Sequence, residues 1–201
     1  MKSDPYPKNH KNGTFLMATL PRINFTHTGT FCADLDHMVE FYCQKLGFIV
    51  SDKGVASTGH RLFFMTQNPE VHHQLVLFDG KPIDLPFNPI NQLSFLLDSL
   101  DDLKSYYVFA KANGIQNIDQ VDHGNAWSMY FKDPEGNPIE MYVDSPFYTA
   151  QPCREPLDLD QSIEEILART EAMCRRRPGF QTRDEWMQSI RERISEQRVR
   201  W

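Results

Sequence analysis

Apolar and polar positions fall into the same order twice along the first three quarters of the chain. Alternation from Ile23 to Cys32 predicts a strand. Asp34-Leu35-Asp36 then opens a helix carried by Met38, Val39, Phe41 and Tyr42, and Leu46-Gly47-Phe48 closes it. The order returns with a strand from Ile90 to Leu97, a helix opened by Ser99-Leu100-Asp101 and carried by Leu103, Tyr106, Tyr107 and Phe109, and a stop at Asn113-Gly114-Ile115. The Asp and Ser side chains can accept from the unpaired amides of a first helical turn, and Gly can take the left-handed conformation that ends a helix. Shorter segments of strand character follow each helix: Gly59 to Thr66 and His72 to Phe78, then Ala126 to Phe131 and Pro138 to Val143. Asp79-Gly80 and Asp133-Pro134-Glu135-Gly136-Asn137 supply turns, the latter joining two alternating strands as a hairpin.

Each half therefore reads as βαβββ, a unit that cannot bury its sheet face alone. The expected fold class is α+β, with two tandem βαβββ modules forming a cupped mixed sheet and helices appended at the C-terminus. The boundaries expected are a polar N-terminal tail at 1–22, a first module at 23–80, a second at 81–145, and a connector with a helical extension at 146–201. In that extension Pro146 to Pro156 is a connector, and Ile163, Ile166, Leu167 and Thr170 recur at helical spacing within Asp158 to Met173. Pro178-Gly179 breaks the chain, and Thr182 and Asp184 can cap a last helix from Glu185 to Ile194. Such a tail packs on the core or on a second subunit, and the Arg175-Arg176-Arg177 run reads as a solvated helix end rather than an anion site.

Composition narrows the class of function. The chain has 201 residues and a net charge of −6, which gives no electrostatic reason to expect nucleic acid. No apolar run has the length of a membrane span, and Met1 to Gly13 is polar with Pro and Lys, unlike a signal sequence. A soluble, cytoplasmic protein is expected. Cys32, Cys43, Cys153 and Cys174 are scattered without a CxxC pair, so neither a zinc knuckle nor a disulfide framework is indicated.

Three potential metal ligands, His27, Gln92 and Glu140, lie on the expected strands of the two halves. Glu140 is flanked by Ile139 and Met141 and shares its parity with Tyr142, so alternation places it away from the aliphatic face. The ordinary alternatives are a surface His, a bystander Gln and a solvent-facing hairpin Glu. If His72 and His73 both lie on a strand they point to opposite faces, so at most one enters the cup. Tyr130 is either a hydrogen-bond donor or an amphipathic core aromatic; His60 is a further candidate, and His123, just before the hairpin strand, either reaches the mouth of the cup or is a solvated loop residue. Phe63, Phe64, Met65, Leu75, Leu77, Phe95, Trp127 and Met129 would favour an apolar or aromatic substrate. Between Ile23 and Val143 there is only Arg61 and scattered Lys, which disfavours a small anionic one.

The sequence resembles a known family at specific residues. His27, Asp34-Leu35-Asp36, Phe41-Tyr42, Leu46-Gly47-Phe48, His72-His73 and Tyr130-Phe131-x-Asp133-Pro134-x-Gly136-Asn137-x-Ile139-Glu140 look like the vicinal oxygen chelate superfamily. That superfamily includes glyoxalases, bleomycin-resistance proteins, fosfomycin-resistance enzymes and extradiol ring-cleaving dioxygenases. The likeness runs from about Ile23 to Pro146 and is nearest to the catalytic half of the extradiol dioxygenases. It implies two βαβββ modules around a divalent metal, Fe(II) or occasionally Mn(II), held by two His and one carboxylate that leave open positions for a catecholate and dioxygen. By resemblance His27 is the first ligand, Glu140 the carboxylate, His73 an acid/base and Tyr130 a donor.

Gln92 stands where the resemblance implies the second His. A carboxamide oxygen is a harder, weaker donor than imidazole, so affinity for Fe(II) falls and the metal can be absent altogether. The resemblance therefore implies a dioxygenase-like enzyme acting on a catechol-like or other vicinal-oxygen aromatic substrate. An isomerase, lyase or hydrolase of the same fold and a binding protein without catalysis stand as alternatives. A homodimer is expected because the superfamily often pairs modules between chains.

Overall fold

The computed structural model describes residues 24–82 and 88–200, with side chains described up to 196. The expected N-terminal tail at 1–22, and Ile23 at the expected start of the first strand, lie outside these residues. The first half comprises β1 (Thr28–Cys32), α1 (Leu35–Leu46), β2 (Ile49–Val55), β3 (Arg61–Thr66) and β4 (Leu75–Asp79). The second comprises β5 (Leu93–Leu96), α2 (Leu100–Ala112), β6 (Asp119–Asp122), β7 (Ala126–Lys132) and β8 (Pro138–Asp144). The protein is α+β, with strand order β1-β4-β3-β2 in one sheet and β5-β8-β7-β6 in the other. In both, the first and last strands of the half pair parallel and the rest pair antiparallel.

The register repeats as well as the order. Thr28 opposes Leu75 where Leu93 opposes Ile139, so His27 and Gln92, each one residue before its strand, occupy equivalent places. Both helices start and stop as expected: Asp34 accepts from the His37 amide at 3.1 Å, Ser99 from the Asp102 amide at 3.1 Å, and Gly47 ends α1 at φ 73°. One face of each sheet packs under its helix. Met65, Leu75 and Leu77 join Leu35, Met38 and Tyr42, while Met129, Phe131, Ile139, Met141 and Val143 join Leu103 and Tyr107, all in a single apolar core.

The hairpin motif of the second half latches it to the first. Asp133 Oδ1 accepts from the amides of Glu135 and Asn137, which closes the turn, and Tyr42 donates to Asp133 Oδ2 at 3.3 Å. Glu135 Oε1 accepts from the amides of Ala33 and Asp34 at 2.6 and 2.9 Å, and its Oε2 from Lys81 Nζ at 2.9 Å. A carboxylate at the start of α1 meets the positive end of the helix dipole.

Within the two halves, two strands had no counterpart among the segments named from the pattern. In β2 every residue is exposed, and β6 is Asp-Gln-Val-Asp, so neither shows an apolar alternation to read. Conversely, the segment expected from His72 begins as strand only at Leu75.

The extension adds α3 (Ile163–Arg175) and α4 (Arg183–Arg200). Ser162 and Glu165 cap α3 reciprocally, so it starts later than Asp158. Its Ile166, Thr170 and Cys174 are buried. Trp127 Nε1 donates to Thr170 Oγ1 at 2.7 Å and Thr170 Oγ1 lies 2.6 Å from Asp122 Oδ2, which docks α3 on the second sheet. Glu155–Pro156 pairs with the edge strand β6, and Gln181–Thr182 pairs with Phe147–Tyr148. Among the described residues no helix is long and apolar enough to cross a membrane.

Candidate functional site

The alternation of the second sheet turns one row of polar side chains away from the core. Glu140 on β8 opposes Ser94 on β5 and Tyr130 on β7, and Tyr130 in turn opposes Asp119 on β6. Glu140 is only 7% exposed. Its Oε2 accepts from Gln92 Nε2 at 2.8 Å and Ser94 Oγ at 2.5 Å, and its Oε1 from Ser128 Oγ at 2.8 Å and from the Tyr130 hydroxyl. Four hydrogen bonds fix its rotamer. Burial first, and then the hydrogen bond to Glu140, push the Tyr130 phenol above its ordinary pKa, so it stays a neutral donor at neutral pH.

Tyr130 also connects outward. His123 Nε2 lies 2.9 Å from the Tyr130 oxygen, and His123 Nδ1 lies 2.6 Å from the Cys153 carbonyl. The loop residue His123 thus sits one hydrogen bond behind Tyr130 and two behind Glu140. Its role was not legible from the pattern because Cys153 belongs to the extension. Arg154 is a second contribution from there: its guanidinium sits 5.7 Å from the Tyr130 ring centre and pairs with Asp119. A cation therefore stands beside the polar row, supplied from outside the stretch in which only Arg61 and Lys were counted.

His27 and His73 lie in the first half. Their ring centres are 4.3 Å apart, and His27 Nδ1 is 3.0 Å from Thr26 Oγ1. His72 and His73 do not take opposite faces of a strand. Both precede β4, their Nδ1 atoms are 2.9 Å apart, and both rings touch Phe64. Partial burial, then the neighbouring His27 and His72, lower the His73 pKa, which favours its neutral, proton-accepting form.

A cleft of about 430 Å³ opens at the seam between the halves, lined by Thr26, Thr28 and Gln74 on one side and Gln92, Ser94 and Phe95 on the other. Of the apolar residues expected around the site, Leu75 and Phe95 reach this cleft, whereas Met65, Leu77, Trp127 and Met129 lie in the core beneath the helices. His60 is held by Asp79 at 3.0 Å.

The model of the Glyoxalase/Bleomycin resistance protein/Dioxygenase superfamily matches residues 24–141. The chain belongs to this superfamily. Over 126 residues it is 32% identical to biphenyl-2,3-diol 1,2-dioxygenase 2 of Rhodococcus globerulus, covering 60% of this chain and 63% of that protein. It is 31% identical over 130 residues to catechol-2,3-dioxygenase of Bacillus subtilis (strain 168), covering 60% of this chain and 41% of that one. The matched stretch thus spans less than two thirds of the length of these relatives. A crystal structure of a glyoxylase/bleomycin resistance protein/dioxygenase domain from Frankia sp. EAN1pec superposes with a TM-score of 0.53 at 19% identity, covering 62% of this chain and all of that one, and shares the fold.

The superfamily implies a metal, and the donors in place suit one in kind. The four hydrogen-bond partners of Glu140 are all neutral, and a buried charge is stabilised by pairing or coordination. Gln92, directly on Glu140, adds a carboxamide oxygen, and His27 stands at the equivalent place in the other half. Among the described residues no three His, Cys, Asp or Glu side chains converge as ligands. Of the three expected ligands, a hydrogen bond joins Gln92 to Glu140, whereas the contacts of His27 are with Thr26 and His73.

Proposed function

We propose that this protein is a metal-dependent enzyme that opens the ring of a catechol-like aromatic substrate, with His27, Gln92 and Glu140 holding a divalent ion. The observation that carries this reading is Glu140, buried among Gln92, Ser94, Ser128 and Tyr130 on the polar face of the second sheet. Relatives named as dioxygenases of vicinal diols support the choice of reaction. Held by these residues, such an ion, Fe(II) in the first instance, would supply a Lewis acid for a substrate's adjacent oxygens and redox chemistry toward dioxygen.

The chain's own groups do the rest. Glu140 is held in one rotamer by its four donors, so the substrate meets a preorganised site. Leu75 and Phe95 give the cleft an apolar lining from either half. His73, with its lowered pKa, accepts the proton of a substrate hydroxyl, and Tyr130 donates a hydrogen bond to developing negative charge. His123 backs Tyr130 from the far side through Nε2 and helps to orient its hydroxyl.

The test is oxygen consumption by Fe(II)-loaded protein across a panel of catechols under air. Stoichiometric uptake with a coloured ring-opened product is expected. Metal retention without uptake on any catechol would overturn the oxygenase assignment. Gln92 favours one specific second reading, because a neutral, hard oxygen donor suits ions that act as Lewis acids without redox change. Turnover independent of oxygen, of the isomerase or lyase type, would select it.

A further inference from the structure

We propose that the C-terminal extension positions His123, holding its Nδ1–H on the Cys153 carbonyl and its Nε2 against the Tyr130 oxygen. The residue lies in the turn between β6 and β7, where an unsupported His would be solvated. Its Nδ1 faces the Cys153 carbonyl at 2.6 Å, and a carbonyl oxygen only accepts, so Nδ1 carries the hydrogen. A partner of this kind keeps Nδ1 protonated and fixes the ring orientation.

A single side chain couples that carbonyl to the turn. Gln151 Nε2 donates to the backbone oxygen of His123 at 2.8 Å and to Asn125 Oδ1 at 3.1 Å, while Gln151 Oε1 accepts from the Cys153 amide at 2.9 Å. On the other side of the imidazole, Asp122 accepts from the Gly124 amide at 2.7 Å and is met by Thr170 of α3 at 2.6 Å. Gly124 sits at φ 76°, and a Cβ there would lie 2.7 Å from Thr149 Cγ2 and 2.9 Å from Cys174 Sγ, so the turn is pressed against the extension with no room for a side chain.

Thr149, Gln151, Cys153, Thr170 and Cys174 all lie beyond residue 141, where the superfamily match ends. The modules supply Tyr130 and Glu140, and the extension converts a loop histidine into a fixed group behind them. Gln151 is a positioning residue in this scheme: it touches neither Tyr130 nor Glu140. The inference concerns the resting protein and holds whichever reaction the site performs.

Long-range proton–nitrogen NMR spectra of the full-length protein test it without substrate. The His123 signals are assigned by their loss in His123→Gln, and the readout is the share of molecules in which Nδ1 carries no hydrogen. In the wild type that share is expected to be minor. Gln151→Ala, at an exposed position, should raise it about two- to tenfold, the range one net hydrogen bond allows. The Trp127 indole resonance should stay in place and so report that α3 remains docked. Thr170→Ser, which keeps the hydroxyl, should leave the share at its wild-type value. A bare Nδ1 in the wild type, or an unchanged share in Gln151→Ala, would overturn the proposal.

Discussion

The two sheets share strand order and register but put opposite chemistry at the same places. Where the second sheet carries Ser94, Glu140 and Tyr130 across one row, the first carries Gly29, Val76 and Phe64. The row ends on Asp119 in one and Asp52 in the other, and His27 stands where the second half has Gln92. On the opposite faces both sheets are apolar and share one core. Duplication therefore preserved what the backbone and core require, and changed the row that packing leaves free. Their edges differ too: β6 is covered by Glu155–Pro156 and flanked by α3, whereas β2 is exposed along its whole length.

The largest expected effect is at the carboxylate. Glu140→Gln removes the charge while keeping the shape, and should lower turnover roughly a thousandfold in steady-state assays, the upper end of the loss of a preorganised charge-stabilising group. Turnover within a few-fold of wild type would erase the distinction between the two rows. Next, Thr170→Val should cost about 2–3 kcal/mol in urea unfolding, because the Trp127 indole N–H and the buried Asp122 each lose a partner. No loss would mean that α3 adds nothing to the half it covers.

Gln92→His makes the two equivalent positions alike. Fe(II) retained through desalting, measured by elemental analysis, should rise at least about tenfold, as expected when a ligand's donor chemistry is improved. Unchanged retention would remove Gln92 from the ligand set. Val76→Ala, at the first-half equivalent of Glu140, should cost about 1–2 kcal/mol of stability through a lost packed side chain and leave metal retention alone.

The smallest effect is one of pH. The second-half turn is closed by buried Asp133, whereas the first-half turn uses neutral Asn68, which accepts from the Glu70 amide at 2.9 Å. Burial raises the Asp133 pKa above its ordinary 3.8 in spite of the hydrogen bonds that oppose the shift. A raised folded value means that the contribution to stability is complete below about 3.8 and is lost as pH climbs through the folded value. Asp133→Asn, which cannot ionise, should therefore gain on the wild type as pH rises above about 3.8 in denaturant titrations. A flat difference over that window would mean that the carboxylate is not strained by burial.

Much of the fold was legible along the chain because its signals are local. Asp34, Ser99 and Gly47 cap helices through contacts within a few residues, and the parity of Ile139, Glu140 and Met141 follows from the strand repeat. β2 was not legible because an exposed edge strand buries nothing and needs no alternation. The pairing of His72 with His73 was not legible because the strand expected to carry them starts three residues later.

By itself the sequence determined the repeat of strand, helix and later strands in the two halves, the helix ends, the closing hairpin and the side of the sheet on which Glu140 lies. Only the tertiary structure decided that Gln92, Ser94, Ser128 and Tyr130 all bond to Glu140, and that Gln151 and Cys153 reach back to His123. The reason is physical. Caps and alternation depend on neighbours in the chain, whereas these contacts depend on strand register and on where an appended helix docks, which are set by burial summed over the whole core.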